Sequence, residues 1–237
     1  MSPRAGLTMM EVLVIVAIIL IICAIAIPGL LSSQRASNER DASTALKTLS
    51  SAEADFRSND KDWNHVNDFW TGDVKGLYTM TCADVRGAGT APTDPPIRLI
   101  EIETAAADAD PALVPAGGEN MPLPVPSAAR KGYWFAALLT DATLKGTAEA
   151  TYRMDTGGTP TMGKCHNESK FGFVAFPDSM SAGKFIFRVN ENNTIFREAI
   201  LSTRVGTAVP PGLNAIPGTY LDWPDDALLK QTYGVKD

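Results

Sequence analysis

Apolar and polar positions are spread very unevenly along this chain. Val12 to Ile27 is an unbroken apolar run of 16 residues, and Val12 to Gln34 holds 23 residues without a charge. At about 1.5 Å per residue such a helix rises about 34 Å, enough for a hydrocarbon core of ~30 Å. The many β-branched Ile and Val residues do not prevent this, because backbone in lipid must satisfy its own hydrogen bonds and a helix does so most simply. Pro28 lacks an N–H and clashes with the preceding turn, and Gly29 adds freedom, so a kink or melted stretch is expected there. From Arg35 to Phe56 there is no Pro or Gly. Ala42, Ala45, Leu46, Leu49, Ala52 and Phe56 recur at helical spacing on one face, and Glu39, Arg40, Lys47, Glu53 and Arg57 mostly occupy the other. The pattern predicts an amphipathic half-helix packed on a globular head and ending near Ser58-Asn59.

The period then changes. Residues 87–130 are rich in Pro, Gly and Ala. Ile97 to Glu103 alternates and predicts one edge strand, and the remainder, including Ala105 to Pro126, reads as a long surface loop. From Lys131 onward the signal is β. Candidate strands are Tyr133–Leu139, Ala150–Met154, Phe171–Ala175, Phe185–Val189 and Thr194–Glu198, with Asn190-Glu191-Asn192-Asn193 as a turn. The spacing predicts an antiparallel meander whose Phe-rich face covers the long helix. The tail reads as a C-terminal turn docked by Trp223, with a short helix at Ala227–Tyr233, started by Pro224, as the alternative.

Composition adds less than pattern does. The chain has 237 residues, 45% hydrophobic and 20% charged, which suits one or two folded domains and argues against disorder. Lys and Arg number 21 against 27 Asp and Glu, a net charge of −6. Residues 1–58 hold five bases and five acids, so the whole excess falls on residues 59–237. An acidic head does not suit nucleic-acid binding, which calls for a basic patch. Three Cys are too few for a disulfide-rich miniprotein, and two His exclude a multi-histidine metal site.

The N-terminal run admits several readings. Ala24-Ile25-Ala26 fits a secretory cleavage site, but Glu11 lies where a signal peptide wants positive charge. A lipoprotein anchor on Cys23 would follow a bulky Ile22, so Cys23 reads as a small apolar membrane residue. A plain anchor gives Glu11 no task. The whole segment, Gly6-Leu7-Thr8-Met9-Met10-Glu11, then the apolar run, then Pro28, resembles the prepilin signature of type IV pilins and type II secretion pseudopilins. The resemblance covers about the first 55 residues. It implies a leader of residues 1–6, peptidase cleavage between Gly6 and Leu7, and N-methylation of Leu7. Glu11 and Pro28 then become mature residues five and twenty-two, both characteristic of the family. Leu7 in place of the usual Phe, and Thr8-Met9-Met10 before the Glu, are departures. The implied role of Glu11 is to pair with the Leu7 amine of a neighbouring subunit, setting axial register in a head-to-tail filament.

Other candidate chemistry is sparse. Asp60, Asp62, Asn64 and Asp68, with the Val66 carbonyl, recur like the first nine positions of a calcium loop. His65 stands where the sharp-turn Gly belongs, and Thr71 occupies the twelfth position, with Asp73 as a substitute only if the loop bends differently. The alternative is an acidic, solvated turn. Many pseudopilins bind calcium, typically in a loop near the C-terminus. Cys82 and Cys165 are expected to be able to form a disulfide outside the cytoplasm. A bridge closing about 80 residues would contribute about 4–5 kcal/mol. Relatives in the resembled family often carry one. Cys82, Cys165, His65 and His166 lack zinc-site spacing. No nucleophile elbow, phosphate loop, dinucleotide fingerprint or HExxH is present, so nothing supports an enzyme.

The expectation is therefore an α+β, pilin-like chain: residues 7–34 span the membrane, residues 35–58 form the rest of a spine, and residues 59–237 form a β-rich head outside the cytoplasm. It would be a bacterial inner-membrane subunit of a type II secretion pseudopilus or type IV pilus. Its implied partners are other pilins, the prepilin peptidase and an inner-membrane assembly platform. The rival is a membrane-tethered or secreted envelope binding domain or hydrolase that never polymerises.

Overall fold

One helix, α1 (Met9–Ser58), occupies 50 residues in the computed structural model, which describes residues 8–62, 65–80, 96–109, 123–141, 144, 151–152, 166–200 and 221–224. Its start is set by Thr8, whose extended backbone and side chain cap the first turn. Its end at Ser58 matches the sequence reading. The helical backbone is unbroken through Pro28, so the melted stretch expected there does not occur. Pro28 removes only one rung of the ladder, and the Ser32 hydroxyl donates to the Gly29 carbonyl at 2.9 Å. The helix has two surfaces of opposite character. From Met9 to Leu31 its apolar side chains are exposed; among the described residues only Val125 is a large exposed hydrophobe elsewhere. From Ala42 to Phe56 the expected stripe of Ala42, Ala45, Leu46, Leu49, Ala52 and Phe56 is buried.

Against that stripe lies a four-stranded antiparallel sheet in the order β2 (Tyr133–Ala137), β5 (Gly172–Pro177), β6 (Phe185–Asn190), β7 (Ile195–Ala199). The register places Phe135 beside Ala175, Phe173 beside Val189, and Ala175 beside Phe187, so these side chains share one face. A cleft lined by Ser43 and Lys47 of α1 and by Phe187, Ile195 and Arg197 marks where the helix borders that face. Strand positions were legible because alternation and turn chemistry agree. Asn193 takes a left-handed φ of 54° and donates to the Asn190 carbonyl, closing the β6–β7 hairpin. Lys131 and Gly132, with φ of 46° and 76°, make the turn into β2, where Arg130 and Tyr133 exchange backbone bonds of 2.9 Å.

The opposite face is not solvated. Trp134, Val174, Phe176, Ile186 and the Arg188–Glu198 ion pair are all buried. Runs such as Tyr133–Ala137 and Gly172–Pro177 are apolar at nearly every position, the pattern of a sheet covered on both sides.

Two short helices and two short ladders complete the described head. β1 (Phe69–Trp70) pairs antiparallel with β4 (His166–Asn167). β3 (Thr140–Asp141) pairs in parallel with β8 (Asp222–Trp223), which buries Trp223 edge-on to Phe196 at 5.3 Å. Thr151 bridges Thr140, the described part of the strand expected at Ala150–Met154. α2 (Gly76–Thr79) and α3 (Ile102–Ala106) are short.

The expected edge strand at Ile97–Glu103 is a correction. Residues 97–99 bond back to Leu77, Tyr78 and Met80, Arg98 breaks the extended run with φ of 48°, and Ile102 begins α3. Part of the expected surface loop is also core. Ala105, Ala106, Ala107 and Ala109 are buried, and residues 107–109 join the edge of β2 through Phe135. Small side chains let this backbone lie against the sheet, a role that composition alone does not distinguish from a loop. The expected tail helix, Ala227–Tyr233, lies outside the described residues.

Candidate functional site

At the start of α1, Thr8 and Glu11 form a reciprocal cap. The Glu11 amide donates to Thr8 Oγ1 at 3.3 Å, while the Thr8 amide and hydroxyl each donate to Glu11 Oε2 at 2.9 Å. The Glu11 carboxylate, the first charge before the apolar run, is thus held by its own helix. Thr-x-x-Glu is a capping-box pattern and was readable at Thr8-Met9-Met10-Glu11. Pro28 and Cys23 lie on the exposed apolar half of α1. Gly6 and Leu7 fall outside the described residues, as do Cys82 and Cys165. One helix in the described chain is long and apolar enough to cross a membrane.

The second constellation lies at the other end of α1, where the helix meets the β1–β4 ladder. Of the acidic loop, Asp62 and Asp68 turn inward and are buried. Opposite them stands His166 of β4, buried in the same cluster. Asp68 Oδ1 lies 3.0 Å from His166 Nδ1, and Asp62 Oδ2 lies 3.8 Å from His166 Nε2. One ligand atom from each of the three residues falls within 4.8 Å of the others. Trp70 packs edge-on to the imidazole with ring centroids 5.4 Å apart, and Phe56 lies 6.4 Å away.

Glu53 adjoins this cluster. Its Oε2 accepts from the Trp70 amide at 3.0 Å, and its buried Oε1 has no hydrogen-bond partner among the described residues. Burial pushes its carboxyl well above the ordinary range; the Trp70 hydrogen bond opposes this and the charge of Asp68 adds to it. The helical period placed Glu53 on the polar face; it is buried, because the β1 backbone supplies a donor at that point.

The remaining described loop ligands are engaged elsewhere. Asp60 Oδ2 accepts from the His65 amide at 3.1 Å. The Val66 carbonyl accepts from the Asp68 amide at 3.1 Å. Asp73 Oδ1 instead accepts from the Gly76 amide at 2.6 Å and from the Trp70 indole at 3.1 Å. Asn64 lies outside the described residues. The contiguous loop pattern therefore yields two of its oxygens to one centre, and the third ligand-type residue, His166, comes from 98 residues further along. No local signal in the sequence marks that partner.

Comparison with known proteins finds no matching family model, no matching curated protein and no matching solved structure.

Proposed function

We propose that this chain is a pilin-like structural subunit, cleaved after Gly6, stored in a bacterial inner membrane through residues 7–34, and assembled through α1 into a type II secretion pseudopilus or type IV pilus. The observation that carries the reading is the division of one continuous helix into an exposed apolar half, Met9–Leu31, and a half buried on the head, Ala42–Phe56. An apolar surface of that length requires lipid or other helices around it. Glu11 at its edge supplies the one charge that a neighbouring subunit's new α-amino group can read. Partners on this reading are other pilins, the prepilin peptidase and a membrane assembly platform.

Mass spectrometry of the mature N-terminus tests it. A chain beginning at methylated Leu7 supports the subunit. An intact Met1 overturns it in favour of a simple tether, and a start at Ile27 overturns it in favour of secretion. A Glu11→Ala chain should be cleaved yet fail to enter filaments; wild-type incorporation would remove the assembly role of Glu11.

A further inference from the structure

The two edges of the four-stranded sheet differ. The β2 edge is covered: the Phe135 amide donates to the Ala107 carbonyl, and the Ala109 amide donates to the Phe135 carbonyl. The β7 edge carries no further strand among the described residues. The ladder register fixes which of its groups are left over. The Ile200 amide donates to the Lys184 carbonyl, so that pair is a hydrogen-bonded one. Bonded and non-bonded pairs alternate along an antiparallel ladder. Phe196 and Glu198 therefore turn their backbone groups toward β6, whereas Ile195, Arg197 and Ala199 turn theirs outward. Unpaired amides and carbonyls along one edge are a template for another extended strand.

The side chains select the kind of strand. Ile195, Arg197 and Ala199 are paired with Val189, Phe187 and Phe185, on the side of the sheet that α1 occupies, yet Arg197 and Ala199 are exposed. The cleft of about 630 Å³ between α1 and β7 is lined by Lys47 and Arg197 and by no carboxylate. Both cations are exposed, and neither has an ion-pair partner among the described residues. Arg197 packs over the Phe185 ring at 5.1 Å, which steadies the guanidinium and leaves its N–H donors unused. In a chain of net charge −6, an unpaired cationic cleft runs against the prevailing sign and complements carboxylates.

Arg197 also disfavours the simplest alternative occupant. Two β7 edges paired antiparallel about Arg197 would set one guanidinium opposite the other, and like charges directly opposite are destabilising. A guard against self-pairing needs no more than Arg197. Lys47 lines the same cleft from α1, where a guard is not required.

We propose that β7 is the docking edge for an acidic extended segment of a partner protein. The segment adds to the sheet through the backbone of Ile195, Arg197 and Ala199. It places an apolar residue against Ile195 and, two positions along, a carboxylate against Arg197 and Lys47. This concerns the head alone and holds whether or not the chain polymerises.

The probe is the capped peptide Thr-Val-Thr-Glu-Thr-Val-Thr, a palindrome that offers the same face in either strand direction. It is added to the full chain in detergent, and backbone amide exchange is followed by NMR. In the free chain the Ile195, Arg197 and Ala199 amides should exchange rapidly. Saturating peptide should slow the Arg197 amide by at least about tenfold, and added NaCl should weaken binding. The peptide with Lys for Glu should bind more weakly. Of two versions N-methylated on alternate sets of amides, one should not bind. Arg197→Gln should weaken the Glu peptide about two- to fivefold, and Arg197→Glu should reverse the preference between the Glu and Lys peptides. Should Arg197→Glu fail to fold, Lys47→Glu, on the exposed side of α1, should shift the preference the same way. Slow exchange at Arg197 in the dilute free chain, protection that rises with protein concentration alone, no binding at millimolar peptide, equal binding of the Glu and Lys peptides, or binding of both N-methylated versions overturns the proposal. In the second case the occupant is another copy of this chain.

Discussion

Arg130 Nε donates to Asp41 Oδ2 at 3.0 Å, joining the turn before β2 to the middle of α1 across 89 residues of chain. The same guanidinium reaches Glu101 at 2.6 Å and the Thr104 hydroxyl at 2.5 Å, so one side chain gathers α1, the start of α3 and the β2 turn. Removing it leaves the partly buried Asp41 with Lys131, at 3.1 Å, as its remaining cation. Arg130→Ala should cost about 1.5–3 kcal/mol in urea unfolding, and Arg130→Lys should recover only part, because a point ammonium cannot reach all three acceptors.

Asp41 also gives the head an acid limit. Partial burial raises its carboxyl pKa, but the hydrogen bonds and charges of Arg130 and Lys131 outweigh this and hold it below its ordinary value of 3.8. A lowered folded-state value means the stabilisation is complete above the unfolded pKa and is lost as pH falls through the folded one. Unfolding temperature measured below about pH 4 should therefore drop less steeply in Asp41→Asn than in wild type.

Leu49 is fully buried in the stripe that α1 presents to the sheet. Leu49→Ala should cost about 2–5 kcal/mol. Leu49→Asp should unfold the head as a whole, seen as loss of near-UV circular dichroism while the exposed apolar half of α1 keeps its helical signal.

The Arg188–Glu198 pair, at 2.8 Å with both side chains 0% exposed, should behave as a buried pair does. Glu198→Ala removes the carboxylate that faces a fully buried guanidinium and should cost about 3–5 kcal/mol. The double change Arg188→Met with Glu198→Leu should restore most of that stability in a double-mutant cycle. Equal losses in the single and double variants would show that other partners of Arg188 matter more.

Glu53 separates shape from charge. Glu53→Gln keeps an acceptor for the Trp70 amide and should leave stability nearly unchanged. Glu53→Ala removes that acceptor from a buried N–H and should cost about 1–3 kcal/mol, measured by urea unfolding.

The legible parts of this chain are those where a local pattern and the final environment agree. The α1 stripe, the Phe-bearing strands and the Asn193 turn were readable because periodicity, β-propensity and turn chemistry all favour the same outcome. Glu53 was assigned to solvent because a helical period counts positions, not the donors that a distant strand brings to them. The Ile97–Glu103 alternation failed because the following Ala-rich residues favour a helix and Arg98 turns the chain before a strand can extend. In the cluster, Asp62 and Asp68 were visible as an acidic loop, but their partner His166 is set by the β1–β4 register, a long-range pairing with no local trace.

Where α1 first touches the head has a geometric consequence. The exposed apolar half ends at Leu31, and the first head contacts follow at once: Arg35 Nε donates to the Ser181 carbonyl at 3.4 Å, Asn38 donates to the Ala182 carbonyl, and the Lys184 amide donates to Glu39. Leu31 and Arg35 are four residues apart, about 6 Å along the helix. A bilayer's polar layer is about 5–8 Å deep on each side. Were α1 seated upright in lipid, the loop at residues 181–184 would therefore rest at the headgroup surface like the underside of a plinth.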